Sequence, residues 1–151
     1  MKTSQLKAVL FSLSVMAAAI APNLANAHES GPRALGSGAG ATDVYPISCF
    51  DDGNGDASYL TVAVQDLAPV ASPTVSIQIF KDGFANSGSD LVDGDAGTSP
   101  AIKLKRGNGT YYVMVNKSRG GAENYQFDYH CMTATGLHTG TTESLIYKQN
   151  Q

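Results

Sequence analysis

The stretch Gly107 to Cys131, GNGTYYVMVNKSRGGAENYQFDYHC, restricts the chain more than any other, because apolar and polar residues alternate along it with a period of two. Tyr111, Val113 and Val115 fall on one face, and Tyr112, Met114 and Asn116 on the other. Tyr125, Phe127, Tyr129 and Cys131 share a face in the returning segment. The spacing predicts two strands of a β-hairpin joined by a glycine-containing turn, with one face turned to a core.

Shorter segments repeat the alternation. Asp43 to Phe50 puts Tyr45, Ile47 and Cys49 on one face, and Pro46, which lacks a ladder donor, marks it as an edge or first strand. Ser58 to Leu67 turns Leu60, Val62 and Val64 inward, and Thr74 to Phe80 does the same with Val75, Ile77 and Ile79; these two read as adjacent antiparallel strands. Lys81 to Pro100 reads as a long polar connection with a short strand at Asp90 to Val92, and Ala101 to Lys105 as a strand with Ile102 and Leu104 inward. Sixteen Gly, no Trp, only 15% charged residues and no helical period make the class all-β, an antiparallel β-sandwich of jelly-roll-like form.

Residues 1–27 carry Lys2 and Lys7, an apolar run from Ala8 to Ala21 and a small-x-small site at Ala25-Asn26-Ala27, the pattern of a Sec-type signal peptide. The run is shorter than the roughly 20 residues a spanning helix needs, so no membrane span is expected. Export to the periplasm or the medium follows, with a mature chain that starts at His28. Removing the two lysines takes the formal charge from −3 to about −5. Nucleic acid is then a poor partner, because phosphate binding needs clustered Lys and Arg and the nearest group is Lys103, Lys105 and Arg106. Residues 28–42 read as a flexible Gly-rich arm, 43–133 as the sandwich, and 134–151 as a tail or added edge strand. In an exported chain two cysteines default to a disulfide, and Cys49 and Cys131 both lie on inward phases, so the sandwich is expected to carry one bridge.

Asp43-Val44-Tyr45, Leu60-Thr61-Val62, Val75 to Phe80 followed by Asp82-Gly83, the run Asn108 to Val115 and Asn124-Tyr125-Gln126-Phe127 together resemble the bacterial pre-peptidase C-terminal domain family. These are small jelly-roll sandwiches often attached to secreted peptidases. The resemblance covers roughly Asp43 to Thr133, and it implies a binding or maturation-related accessory module with no catalytic residue carried over. The chain has no room for the catalytic domain that usually accompanies such a module, and the Cys49 to Cys131 pair is not a requirement of that family.

Three residue sets are candidates for chemistry. Asp51, Asp52, Asn54 and Asp56 form one acidic loop, and Asp90, Asp93 and Asp95 another; either has the oxygens a calcium ion wants. The helix-loop-helix calcium motif is excluded, since Ala57 replaces its glycine and Ala63 its closing glutamate. Asp, Asn and Gly also simply make turns. Cleavage before His28 would leave an α-amine beside an imidazole, a chelate suited to copper(II), with His130 or His138 as a second imidazole. Against this, the alternation of β-residues points His130 away from the tyrosine face, toward solvent. Tyr59, Phe80, Phe84, Tyr112 and Tyr147 are candidates for an outward aromatic platform for sugar or peptide. No G-x-S-x-G elbow and no free cysteine mark a nucleophile, so no catalysis is expected.

The chain is thus expected to be an exported, non-catalytic sandwich that binds a surface ligand or protein, with calcium-stabilised loops. The alternatives are a periplasmic copper-binding protein using His28, and a subunit of a surface fibre built by strand addition.

Overall fold

A computed structural model describes residues 28–68, 73–144 and 147–149, and residues 1–27, which hold the expected leader, lie outside them. Eleven strands run through the described residues with no helix: β1 His28–Glu29, β2 Arg33–Leu35, β3 Thr42–Phe50, β4 Tyr59–Leu67, β5 Val75–Lys81, β6 Phe84–Ser89, β7 Ile102–Leu104, β8 Gly109–Lys117, β9 Glu123–Met132, β10 Gly140–Glu143 and β11 Tyr147–Gln149. They form two sheets, both antiparallel. One has the order β1-β9-β4-β7, with β2 also on β9; the other is β10-β3-β8-β5-β6, with β11 also on β3.

The inward phases read from the sequence are the core. Tyr45, Ile47, Leu60, Val64, Val75, Ile77, Ile79, Tyr111, Val113, Val115 and Tyr125 are fully buried between the sheets. Each such side chain removed from water contributes about 1.5–3 kcal/mol, which is what makes the alternation decisive. The Cys49–Cys131 disulfide joins β3 of one sheet to β9 of the other across this core.

The pairing differs from the expected hairpins. β8 and β9 do not pair; β8 lies between β3 and β5, and β9 pairs with β4 in the opposite sheet. β4 and β5 are likewise split between sheets. Strands that face each other across a core present the same inward alternation as strands that share a ladder, so periodicity alone does not separate the two cases. The hairpin that does form is β5–β6, closed by Asp82-Gly83, with positive φ at both residues (52° and 77°), as a two-residue type I′ turn requires. Its returning strand is Phe84–Ser89, and Asp90 to Val92 is not a strand.

β3 is an interior strand, although Pro46 suggested an edge. β10 covers Ile47 to Phe50 and β11 covers Thr42 to Val44, so the proline falls in the gap between its two partners on that side. The tail therefore supplies edge strands to the second sheet. The Gly-rich arm does not hang free: His28–Glu29 and Arg33–Leu35 lie along β9, and Leu35 and Ala41 are buried in the core. That arrangement occupies the edge of β9 within the same chain.

Candidate functional site

Three groups of polar side chains stand at different places on this frame. In the first expected calcium loop, one oxygen of each aspartate accepts hydrogen bonds from the protein. Asp51 Oδ1 accepts from the amides of Gly53 (2.7 Å) and Gly55 (2.9 Å), Asp52 Oδ1 accepts from Asn54, and Asp56 Oδ1 accepts from Asn108 Nδ2 (2.6 Å). Those of Asp51 and Asp52 are turn-making contacts of exposed residues, whereas that of Asp56 ties the loop to Asn108 before β8. In the second loop the three acids separate. Asp95 Oδ1 caps the Gly97 amide, while Asp90 is buried and accepts from the amides of Asp66 (2.9 Å) and Val92 (3.2 Å).

Asp93 instead joins Asp66 and Glu123, neither of which stood out in the sequence. The three carboxyl groups each place an oxygen within 4.8 Å of the others. Asp66 and Glu123 are each only 1% exposed. Asp66 Oδ2 accepts from the Val75 amide, but its Oδ1 and both Glu123 oxygens have no hydrogen-bond partner. Burial first, then the charges of Asp93 and Glu123, push the Asp66 carboxyl up to about 7; burial and Asp93 also raise Glu123. The sequence did carry a signal. Asp66 continues the inward phase Leu60, Val62, Val64, and Glu123 begins the inward phase Tyr125, Phe127, Tyr129, so each is an acid at a core position.

The histidines come together on the other end of β9. His28 of β1 faces Tyr129 in register, and His138 bridges to Met132. Both neighbours lie along the same edge of β9, with His130 between them. The rings of His130 and His138 are 4.7 Å apart between centroids, those of His28 and His130 are 6.4 Å apart, and His28 stacks obliquely against Tyr129 at 5.5 Å. His130 does sit on the outward face of its strand, but neighbouring chain half-buries it, which solvent-facing alternation did not foresee. The Nδ1 atoms of His28 and His130 are buried without a hydrogen-bond partner. Burial, with His138 and His28 adding to it, pushes His130 down to about 4, so its imidazole is neutral at pH 7 and has a lone pair to offer.

The three imidazoles stand near one another without their nitrogens converging: among the described residues, the group of three ligating side chains whose donor atoms all lie within 4.8 Å of one another is Asp66, Asp93 and Glu123. A groove of about 310 Å³ on the outer face of the first sheet opens at His130, lined also by Thr61, Ala63, Thr98, Ala101 and Asp128. Below it, Tyr129 points inward, and its phenol is pushed up to about 12 by burial and by the charge of Glu143. Glu143 in turn holds Arg33 through an ion pair of 2.9 Å, which fixes β2 against β10 beside the histidines.

Of the aromatic candidates, Phe80, Phe84 and Tyr112 are exposed on the second sheet, where Phe80 and Tyr112 are cross-strand neighbours. Arg106 lies over the Phe84 ring, and Lys103 over that of Tyr59. The side chain of Tyr147 lies outside the described residues. No helix among the described residues is long and apolar enough to cross a membrane.

No family model, curated protein or solved structure matches the chain. The likeness to pre-peptidase C-terminal domains therefore rests on the sequence motifs alone.

Proposed function

We propose that the exported chain is a non-catalytic, copper-binding β-sandwich whose metal is held by His28, His130 and His138. The observation that carries this reading is the meeting of these three histidines along one edge of β9, from which a rotation of the side chains about their χ angles would turn their nitrogens to one ion. His28 contributes most if the leader is removed before it. Its α-amine and Nδ1 then form a chelate, and the register of His28 against Tyr129 sets that amine beside the segment of β9 that carries His130. A nitrogen-only set with an amine and imidazoles favours copper(II) in tetragonal geometry over the oxygen-loving cations. The groove beside His130 leaves a path for exchange of the ion or for a further ligand. An accessory role fits the likeness to the pre-peptidase C-terminal domains.

Copper(II) titration of the processed chain, followed by visible absorption and electron paramagnetic resonance, tests the ligand set. His130→Ala and His138→Ala should each weaken binding by about tenfold or more, with loss of nitrogen hyperfine structure. Affinity unchanged in both variants would refute the assignment.

A further inference from the structure

The carboxyl cluster at the opposite end of β9 has no part in the histidine site. Asp66 ends the inward run of β4, Glu123 begins β9, and Asp93 arrives on the connection between β6 and β7. That connection is laid along β4. The amide of Gly94 donates to Asp66 O (3.2 Å), that of Ser99 to Val64 O (2.7 Å), and Gln65 Nε2 to Asp95 O (2.9 Å). Three like charges so close, two of them out of water, repel one another unless something neutralises them.

Lys117 is a cation whose charge acts on Glu123. Its ammonium donates to the carbonyls of Gly36 and Gly121, and its pull on Glu123 is outweighed by burial and by Asp93. Both Glu123 oxygens and Asp66 Oδ1 remain buried and unpartnered. We infer that Asp66, Asp93 and Glu123 form a binding site for a hard divalent cation, calcium, that fastens the β6–β7 connection to the ends of β4 and β9. The donors are all oxygens, which excludes the soft and imidazole-seeking metals. A site built partly on a loop suits the variable coordination of calcium better than the rigid octahedron of magnesium. The ion would replace the missing hydrogen-bond donors and lift the mutual repulsion together.

The test uses the processed chain, stripped with chelator and titrated with calcium chloride by calorimetry. In parallel, chymotryptic cleavage is followed at Leu91, which is 82% exposed in the same connection. One saturable site is expected. Calcium at 10 mM should slow cleavage at Leu91 by about 10- to 100-fold, as binding in the range of extracellular modules would give. Glu123→Gln should abolish both effects. Asp93→Asn, at a half-exposed loop position that tolerates change, should do the same if the buried variant folds poorly. Asp95→Asn, whose carboxyl only caps a turn, should keep both, and so should His138→Ala, which separates this site from the copper reading. Absence of calcium binding to the unaltered chain, or equal protection in the Asp93→Asn variant, would overturn the inference.

Discussion

Replacing Cys49 and Cys131 together by alanine probes the tie between the two sheets. The bridge spans a sequence separation of 82 residues and joins β3 to β9 across the core, where both residues are buried. In the chain-entropy account a loop of that length removes about 4.5 kcal/mol of freedom from the unfolded state. Alanine leaves no buried hydroxyl unsatisfied, and the missing sulfur atoms add roughly 1 kcal/mol of lost packing. Against a domain stability of about 5–15 kcal/mol, this brings the protein close to its folding threshold. With an m-value of about 1.5 kcal/mol/M, the urea midpoint should fall by about 3.5–4 M. The assay is urea unfolding at pH 7 by circular dichroism, oxidised wild type against the double variant. A drop smaller than about 0.5 M would refute the reasoning, because the sheets would then be held together without the cross-link.

Two other perturbations reach buried polar groups. Tyr125 donates to Asp43 Oδ2 (2.6 Å) and meets the Tyr45 hydroxyl, so Tyr125→Phe leaves a buried carboxyl without its donor; it should cost about 2–3 kcal/mol, and an unchanged urea midpoint would count against that network. Asp66 titrates near 7 in the folded chain against 3.8 as its ordinary value, so the folded state holds its proton more tightly. Its contribution is favourable at low pH and is lost as pH rises from 3.8 through about 7. In chelator, Asp66→Asn should therefore gain stability over wild type between pH 4.5 and pH 8; a gap that narrows with rising pH would contradict the assignment.

The strand phases were legible in the sequence because burial of alternate residues is the dominant local constraint: the inward residues of β3, β4, β5, β7, β8 and β9 are the core. Which strands pair was not legible, since Val113 and Phe127 show the same alternation whether they share a ladder or face one another across the core. The Asp82-Gly83 turn was an available signal for the β5–β6 hairpin and was submerged in a polar stretch. The acidic loops drew attention by composition, yet Asp51 and Asp52 each give an oxygen to a turn and Asp56 gives one to the Asn108 side chain. Asp66 and Glu123, isolated in sequence, are brought together by the β4–β9 pairing. His130 was placed by strand phase on the outward face; only the path of the chain after Met132 and the docking of the arm bring His138 and His28 to it.

The most direct measurement of the copper assignment compares two chains that differ by one residue at the amino end. One begins at His28, and the other carries a single alanine before it. The additional residue removes the α-amine from the chelate and leaves all three imidazoles in place. Copper(II) affinity by competition titration should be at least about 100-fold weaker for the extended chain, close to 3 kcal/mol. Equal affinity for the two chains would contradict the account, because the mature amino terminus would then have no part in holding the metal.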